Sequence, residues 1–179
     1  IAGLVKGASK GEGLGNKFLS HIRETDAIVH LVRCFKSEKI QHVNNKIDPI
    51  SDLETIKTEI LLADIDVIQK KLEKNKKKLL SEKEIKLLNE CLQFLNKGKN
   101  IEIKDKTSLD YLNRNGLLSI KPKIIVCNVD EESLAKGNNF TESVKKKYSN
   151  EKIITVCADI EDQIMGLDND ERETFMKEI

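Results

Sequence analysis

Two short polar runs sit where an α/β protein would do chemistry. Asn128-Val129-Asp130-Glu131 follows directly on the apolar run Lys123-Ile124-Ile125-Val126-Cys127, and Cys157-Ala158-Asp159 closes the run Ile153-Ile154-Thr155-Val156. An asparagine offers a donor and an acceptor side by side, and a carboxylate three residues on adds two acceptors. Together they suit the hydrogen-bonding edge of a flat heterocycle such as a nucleotide base, with Val129 and the Cys157-Ala158-Asp159 backbone lining the pocket. Ligands of open α/β sheets bind beyond the carboxyl ends of the strands, which is where both runs fall. Each run alone is ordinary turn and helix-start material; their order along the chain carries the reading.

Other candidates are weaker. Gly7, Gly11, Gly13 and Gly15 lie within nine residues, which permits positive φ at several positions. A phosphate cradle is one reading, but no apolar strand precedes the glycines and no Gly-Lys-Ser/Thr appears. A loop that reorders on ligand binding fits better, and a plain surface loop stays open. His42 reads as an exposed loop residue, and His30, inside an apolar run, as a satisfied core histidine. Cys34, Cys91, Cys127 and Cys157 form no C-x-x-C pair, which argues against a zinc site and for buried free thiols. No set of metal ligands is expected in this chain.

The elements that must position these residues are legible in outline. Residues 27–34, 123–128 and 153–157 are continuous β-branched runs, the pattern of parallel strands covered on both faces. A helix-like stretch from Phe140 to Tyr148 separates the last two, so strand, helix and strand imply a parallel sheet. Residues 49–116 differ in kind. Ser51-Asp52-Leu53-Glu54 reads as a capping box, and Leu61, Ile65, Ile68, Leu72 and Leu79 form a seam of coiled-coil spacing. A second box, Ser81 to Glu84, opens a helix with Ile85, Leu88, Leu92 and Leu95 on one face, stopping near Gly98. The predicted fold is α/β, with residues 1–48 and 117–179 forming a mostly parallel sheet with flanking helices. Residues 49–116 form an antiparallel coiled-coil helical insertion.

Composition narrows the function classes. The chain has 31 Lys+Arg against 30 Asp+Glu and 4% aromatic residues, so neither bulk charge nor stacking platforms point to DNA, and no run of eighteen apolar residues points to a membrane. The one biased tract is Lys70-Lys71-Leu72-Glu73-Lys74-Asn75-Lys76-Lys77-Lys78. It is read either as a solvated helix face or as a contact for RNA phosphates through Lys70, Lys71, Lys74, Lys76, Lys77 and Lys78. A monomeric, cytoplasmic protein is expected. The opening on Ile1 and the end without a helix breaker predict an internal piece of a longer chain.

The blocks Ile1-Ala2-Gly3-Leu4-Val5-Lys6-Gly7-Ala8, Gly15-Asn16, Ile22 to Ala27 and Val32-Arg33-Cys34-Phe35 closely resemble the YchF (Obg-like ATPase) family. So do His42-Val43, Asp48-Pro49, Asp52 to Ile56, Asn128 to Glu131 and Leu167-Asp168 to Met176. The resemblance implies a P-loop domain with a coiled-coil insertion and a following TGS domain, hydrolysis of ATP or GTP with Mg²⁺, and association with the ribosome through rRNA or ribosomal protein. It implies that Gly3 completes a D-x-x-G switch and senses the terminal phosphate. Leu4 then stands where Ras-like enzymes place a water-orienting Gln, and the resemblance assigns that duty to His42. The phosphate loop and the Mg²⁺ ligands would lie upstream of Ile1, so these 179 residues alone are expected to be inactive. The base motif is N-x-x-E rather than N-K-x-D. Glu131 moves the carboxylate off the geometry that favours guanine, so adenine is tolerated. The rival reading is a non-catalytic ribosome- or protein-binding module that uses the helical arm.

Overall fold

The computed structural model of the chain describes residues 14–40, 46–75 and 79–178. Two compact units emerge: one holds residues up to Ile28 together with Glu54–Pro122, the other Val29–Leu53 with Lys123–Ile179.

The second unit is built on a three-stranded sheet of β1 (Ile28–Arg33), β2 (Lys123–Asn128) and β3 (Lys152–Val156), in the order β1-β2-β3. The central strand pairs in parallel with β3, from Ile124 opposite Lys152 to Asn128 opposite Val156. The Ile28 N–H donates to the Pro122 carbonyl at 2.9 Å and the Cys34 N–H to the Asn128 carbonyl at 2.7 Å. Both chains advance in the same sense between those two bonds, so β1 is parallel to β2 as well. Runs of Val and Ile suit these positions because branched side chains pack well on a pleated surface. One face of the sheet carries Val32, Ile125 and Cys127, which join Val144 and Ile160 in a common core with Phe140 and Tyr148 packed against it. On the other face of β1, Val29 and Leu31 are 64% and 59% exposed. Among the described residues β1 is therefore covered on one face, not on both as its sequence predicts.

Between β2 and β3 run α1 (Glu132–Lys136) and α2 (Asn139–Lys147), and after β3 come α3 (Ala158–Gly166) and α4 (Asn169–Glu178). The expected crossover helix is α2. Its start is fixed by Asn138, whose Oδ1 accepts the Phe140 and Thr141 N–H groups at 3.0 and 3.1 Å, two of the donors a helix start leaves without a partner.

The first unit is helical. A long helix α5 (Pro49–Lys74), whose first turn lies in the other unit, and α6 (Glu82–Asn96) form the predicted hairpin, followed by α7 (Lys106–Arg114), while α8 (Leu14–Arg23) precedes β1 in the chain. Ser81 and Glu84 make the reciprocal capping box read from the sequence. The box read at Ser51 is not the start of α5: the helix begins at Pro49, and Asp48 Oδ1 accepts the Ser51 N–H at 3.1 Å. Proline at the first helical position, where its missing N–H is not needed, moves the cap back to Asp48. Leu61, Ile68, Leu88, Cys91 and Leu95 form the hairpin seam. Leu79 does not join it: it lies between the helices and is 78% exposed. The α6 helix ends as predicted, with Gly98 at φ 68°.

Asp64 ties α5 to the segment after α7. It is fully buried on α5, and its carboxylate accepts the Leu118 N–H at 2.8 Å and the Ser119 N–H at 2.8 Å. Burial pushes its pKa up, and the backbone bond from Leu118 opposes that shift. Nearby, the Arg23 Nε donates to the Gly116 carbonyl at 3.2 Å. Gly116 has φ 73°, and a Cβ there would stand 3.2 Å from Arg23 Cδ. Asp64→Ala leaves two buried N–H groups without acceptors, each worth about 1–3 kcal/mol. Its urea midpoint, followed by helical circular dichroism, is expected to fall accordingly, and Asp64→Asn, which keeps one acceptor, to fall less. An unchanged midpoint in Asp64→Ala would remove Asp64 from this role.

Candidate functional site

The candidate site lies in the second unit, at the carboxyl ends of the strands. Asn128 is the last residue of the central strand, where its carbonyl accepts from Cys34 and its Oδ1 accepts the Ala158 N–H at 3.0 Å. Val129 N–H then donates to the Val156 carbonyl at 2.9 Å. Two predicted site segments, 128–131 and 157–159, are thus drawn together with the end of β1 within unit two. The Asn128 side chain fixes the segment after β3 in place.

The carboxylates of the motif divide their labour. Asp130 Oδ1 accepts the Ser133 N–H at 3.0 Å and so caps α1. Glu131 opens that helix with no capping bond from its side chain, and is exposed. Ala158 and Asp159 are exposed at the start of α3, where their backbone can face a ligand. Val129 and Cys157 are 2% exposed and belong to the core. The Val129 side chain packs inward: one residue past Asn128, strand alternation turns it to the core.

Two residues of this region carry no signal in the sequence. Asn138 Nδ2 donates to the Cys34 carbonyl at 2.7 Å and to Ser133 Oγ at 3.1 Å, joining the end of β1 to the turn before α2. Arg33 donates to the carbonyls of Phe35, Ser37 and Ile40 at 3.1, 3.2 and 3.0 Å, with its guanidinium 4.8 Å from the Phe35 ring centroid. It shapes the segment that leads to His42. His42 itself, Gly3 and Leu4 lie outside the described residues, as do Lys76, Lys77 and Lys78.

All four cysteines are buried and free. The Cys34 thiol is pushed far up by its hydrogen bond to the Cys127 sulfur and by burial, so it stays protonated. Among the described residues no three His, Cys, Asp or Glu side chains come together as metal ligands. No helix among the described residues is long and apolar enough to cross a membrane.

An open parallel sheet with a polar asparagine–carboxylate pair beyond its central strand defines the class: the α/β fold of a partial P-loop NTPase. The comparison with known proteins is more specific. No family model matches the chain. The whole chain is homologous to proteins named ribosome-binding ATPase YchF: it is 40% identical to that of Escherichia coli O157:H7, 38% to that of Bacillus subtilis and 41% to that of Mycoplasma genitalium. It spans about half the length of these curated relatives, 52% in each case. A solved structure, the Schizosaccharomyces pombe YchF GTPase, superposes with a TM-score of 0.80 at 30% identity, covering 99% of this chain and 52% of that one. The resemblance read from the residue blocks is thereby shown.

His30, on β1, supplies a pH test of the sheet. Burial, and then the charge of Lys123, lower its pKa from 6.5 to about 4. Below pH 6.5 the unfolded chain takes up a proton that the folded chain refuses until about pH 4, so stability is lost as pH falls through that window. The expected result is a urea midpoint that drops between pH 6.5 and 4 in the native sequence and drops less in His30→Gln. Equal pH dependence in both would show that His30 is not held neutral.

Proposed function

We propose that the full-length protein binds and hydrolyses nucleoside triphosphates, prefers ATP while accepting GTP, and couples its nucleotide state to ribosome association in the cytoplasm. The observation that carries the reading is the Asn128 side chain, fixed by the Ala158 N–H at the mouth of the sheet, with Glu131 exposed three residues on. Guanine presents a ring N–H and an amino group to an acid at this position, whereas adenine presents a ring acceptor that a short carboxylate would repel. The longer Glu131 can swing its charge aside, so adenine is admitted. The names of the relatives divide on this point, the bacterial proteins being called ATPases and the yeast protein a GTPase.

In this reading Gly3 senses the terminal phosphate through its N–H, Leu4 leaves the attacking water without a side-chain partner, and His42 positions that water. Arg33 supports the arrangement by holding the segment 35–40 from which His42 follows. The sequence of the 179 residues holds no G-x-x-x-x-G-K-S/T loop, so on their own they bind partners rather than turn over nucleotide. The relatives' names supply the ribosome as partner.

Contact with RNA falls unevenly on the lysine tract. Lys70 Nζ bonds Asp66 Oδ2 at 2.8 Å, and Lys71 bonds Asn115 Oδ1 and sits 5.2 Å from the Tyr111 ring centroid. Among the described lysines of the tract, Lys74 is the one directed to solvent without such a partner.

In full-length protein, Glu131→Asp is expected to shift the GTP-to-ATP affinity ratio toward GTP by roughly tenfold or more, as restored guanine bonds would require; isothermal calorimetry reads it. A strong GTP preference in the native protein would sink the Glu131 reading. His42→Ala is expected to leave nucleotide affinity within about twofold while lowering turnover by roughly 10²-fold, the low end for a group that handles a proton or water in the transition state. Single-turnover hydrolysis checks this, and unchanged turnover would return His42 to the status of a loop residue.

A further inference from the structure

The turn that carries Asn128 and Glu131 is not held in place by its own helix. With five residues, α1 is too short to be stable by itself, and the exposed Glu131 at its start makes no capping bond. Other groups must fix it. Asp130 Oδ1 accepts the Ser133 N–H at 3.0 Å, Leu134 packs against the core, and Asn138 grips the far end. Gly137, at φ 73°, lets the chain double back there, and a Cβ on it would stand 2.9 Å from Thr141 Oγ1. The whole hydrogen-bonding capacity of the half-buried Asn138 amide is then used. Its Oδ1 accepts the Phe140 and Thr141 N–H groups, which leaves Nδ2 to donate to Ser133 Oγ at 3.1 Å and to the Cys34 carbonyl at 2.7 Å. The Cys34 N–H is in turn bonded to the Asn128 carbonyl. Glu131 is thus bracketed by two asparagines, three residues before it and seven after, and both are pinned to the same residue beyond β1.

We propose that Asn138 is a positioning residue for base selection: by pinning α1 to Cys34 it keeps the Glu131 carboxylate off the edge of guanine, and so maintains the preference for ATP. The proposal rests on the reading of Glu131 given above. Adenine and guanine share a purine frame, so telling them apart turns on where one acceptor stands. Binding sites hold such groups to within about 0.5 Å, and hydrogen bonds weaken steeply once their angle is lost. If α1 loosens, Glu131 gains positions from which it meets the ring N–H and amino group of guanine. Adenine gains nothing from the same freedom, because it presents an acceptor there.

The test is calorimetric titration of full-length protein with ATP and with GTP, beside urea midpoints of the same variants. Asn138→Asp keeps Oδ1, and Asp caps a helix as well as Asn does. It replaces the Nδ2 donor with an acceptor that faces the Cys34 carbonyl. The GTP-to-ATP affinity ratio is expected to rise about threefold or more. Ser133→Ala, which removes one of the two Nδ2 bonds, is expected to raise it less. In a Glu131→Ala background, Asn138→Asp is expected to leave the ratio unchanged, since the residue through which it acts is gone. A role confined to stability would lower the urea midpoint and weaken both nucleotides alike. A folded Asn138→Asp with the native ratio overturns the proposal, as does a shift that persists without Glu131. If Asn138→Asp does not fold, an unchanged ratio in Ser133→Ala overturns it instead. Native protein that prefers GTP sinks the reading of Glu131 and this proposal with it, whereas a native ATP preference indifferent to Asn138→Asp sinks the positioning role alone.

Discussion

Asn128 is the point on which the sheet end depends. Its carbonyl accepts from Cys34, the residue after β1, its side-chain oxygen accepts from the residue that opens α3 after β3, and the next N–H donates back to β3. One residue therefore ties the carboxyl ends of three parallel strands. Held by the Ala158 N–H, its side chain has already lost its rotamer entropy on folding. Core packing below, through Val129 and Cys157, keeps that end rigid, while Asp130 caps α1 and leaves Glu131 outside the network.

What the sequence conveyed followed from period and from strong local chemistry. The three strands are continuous β-branched runs, and the hairpin was legible from its four-three spacing and the Ser81 box, because those signals are local and their partners lie within a few residues. The α8 and α3 helices were missed for the same reason in reverse. Glycines 7 to 15 mask the start of the first, and the second is a short segment whose Ile160 and Ile164 acquire meaning only against the sheet. Leu79 kept the heptad count yet stands outside the helices, since a seven-residue step says nothing about where the chain turns.

The site was legible in part. Asn128, Glu131, Ala158 and Asp159 stand where an open sheet places its ligand, a rule that needs only strand ends. Val129 turns inward because side chains alternate past the end of the strand. Arg33 and Asn138 act through bonds to carbonyls two to a hundred residues away, and nothing in their own surroundings marks them. Asp64 shows the same limit in the helical unit: a lone acid on a helix reads as surface, but its partners are 54 and 55 residues on.

The outward pair on β1 has a consequence for how the chain behaves in company. Val29 and Leu31 stand exposed on a strand at the margin of the sheet, and covering each would contribute about 1.5–3 kcal/mol. Such a margin is a template for another strand. Among the described residues, then, this edge favours pairing with a further strand, whichever chain supplies it.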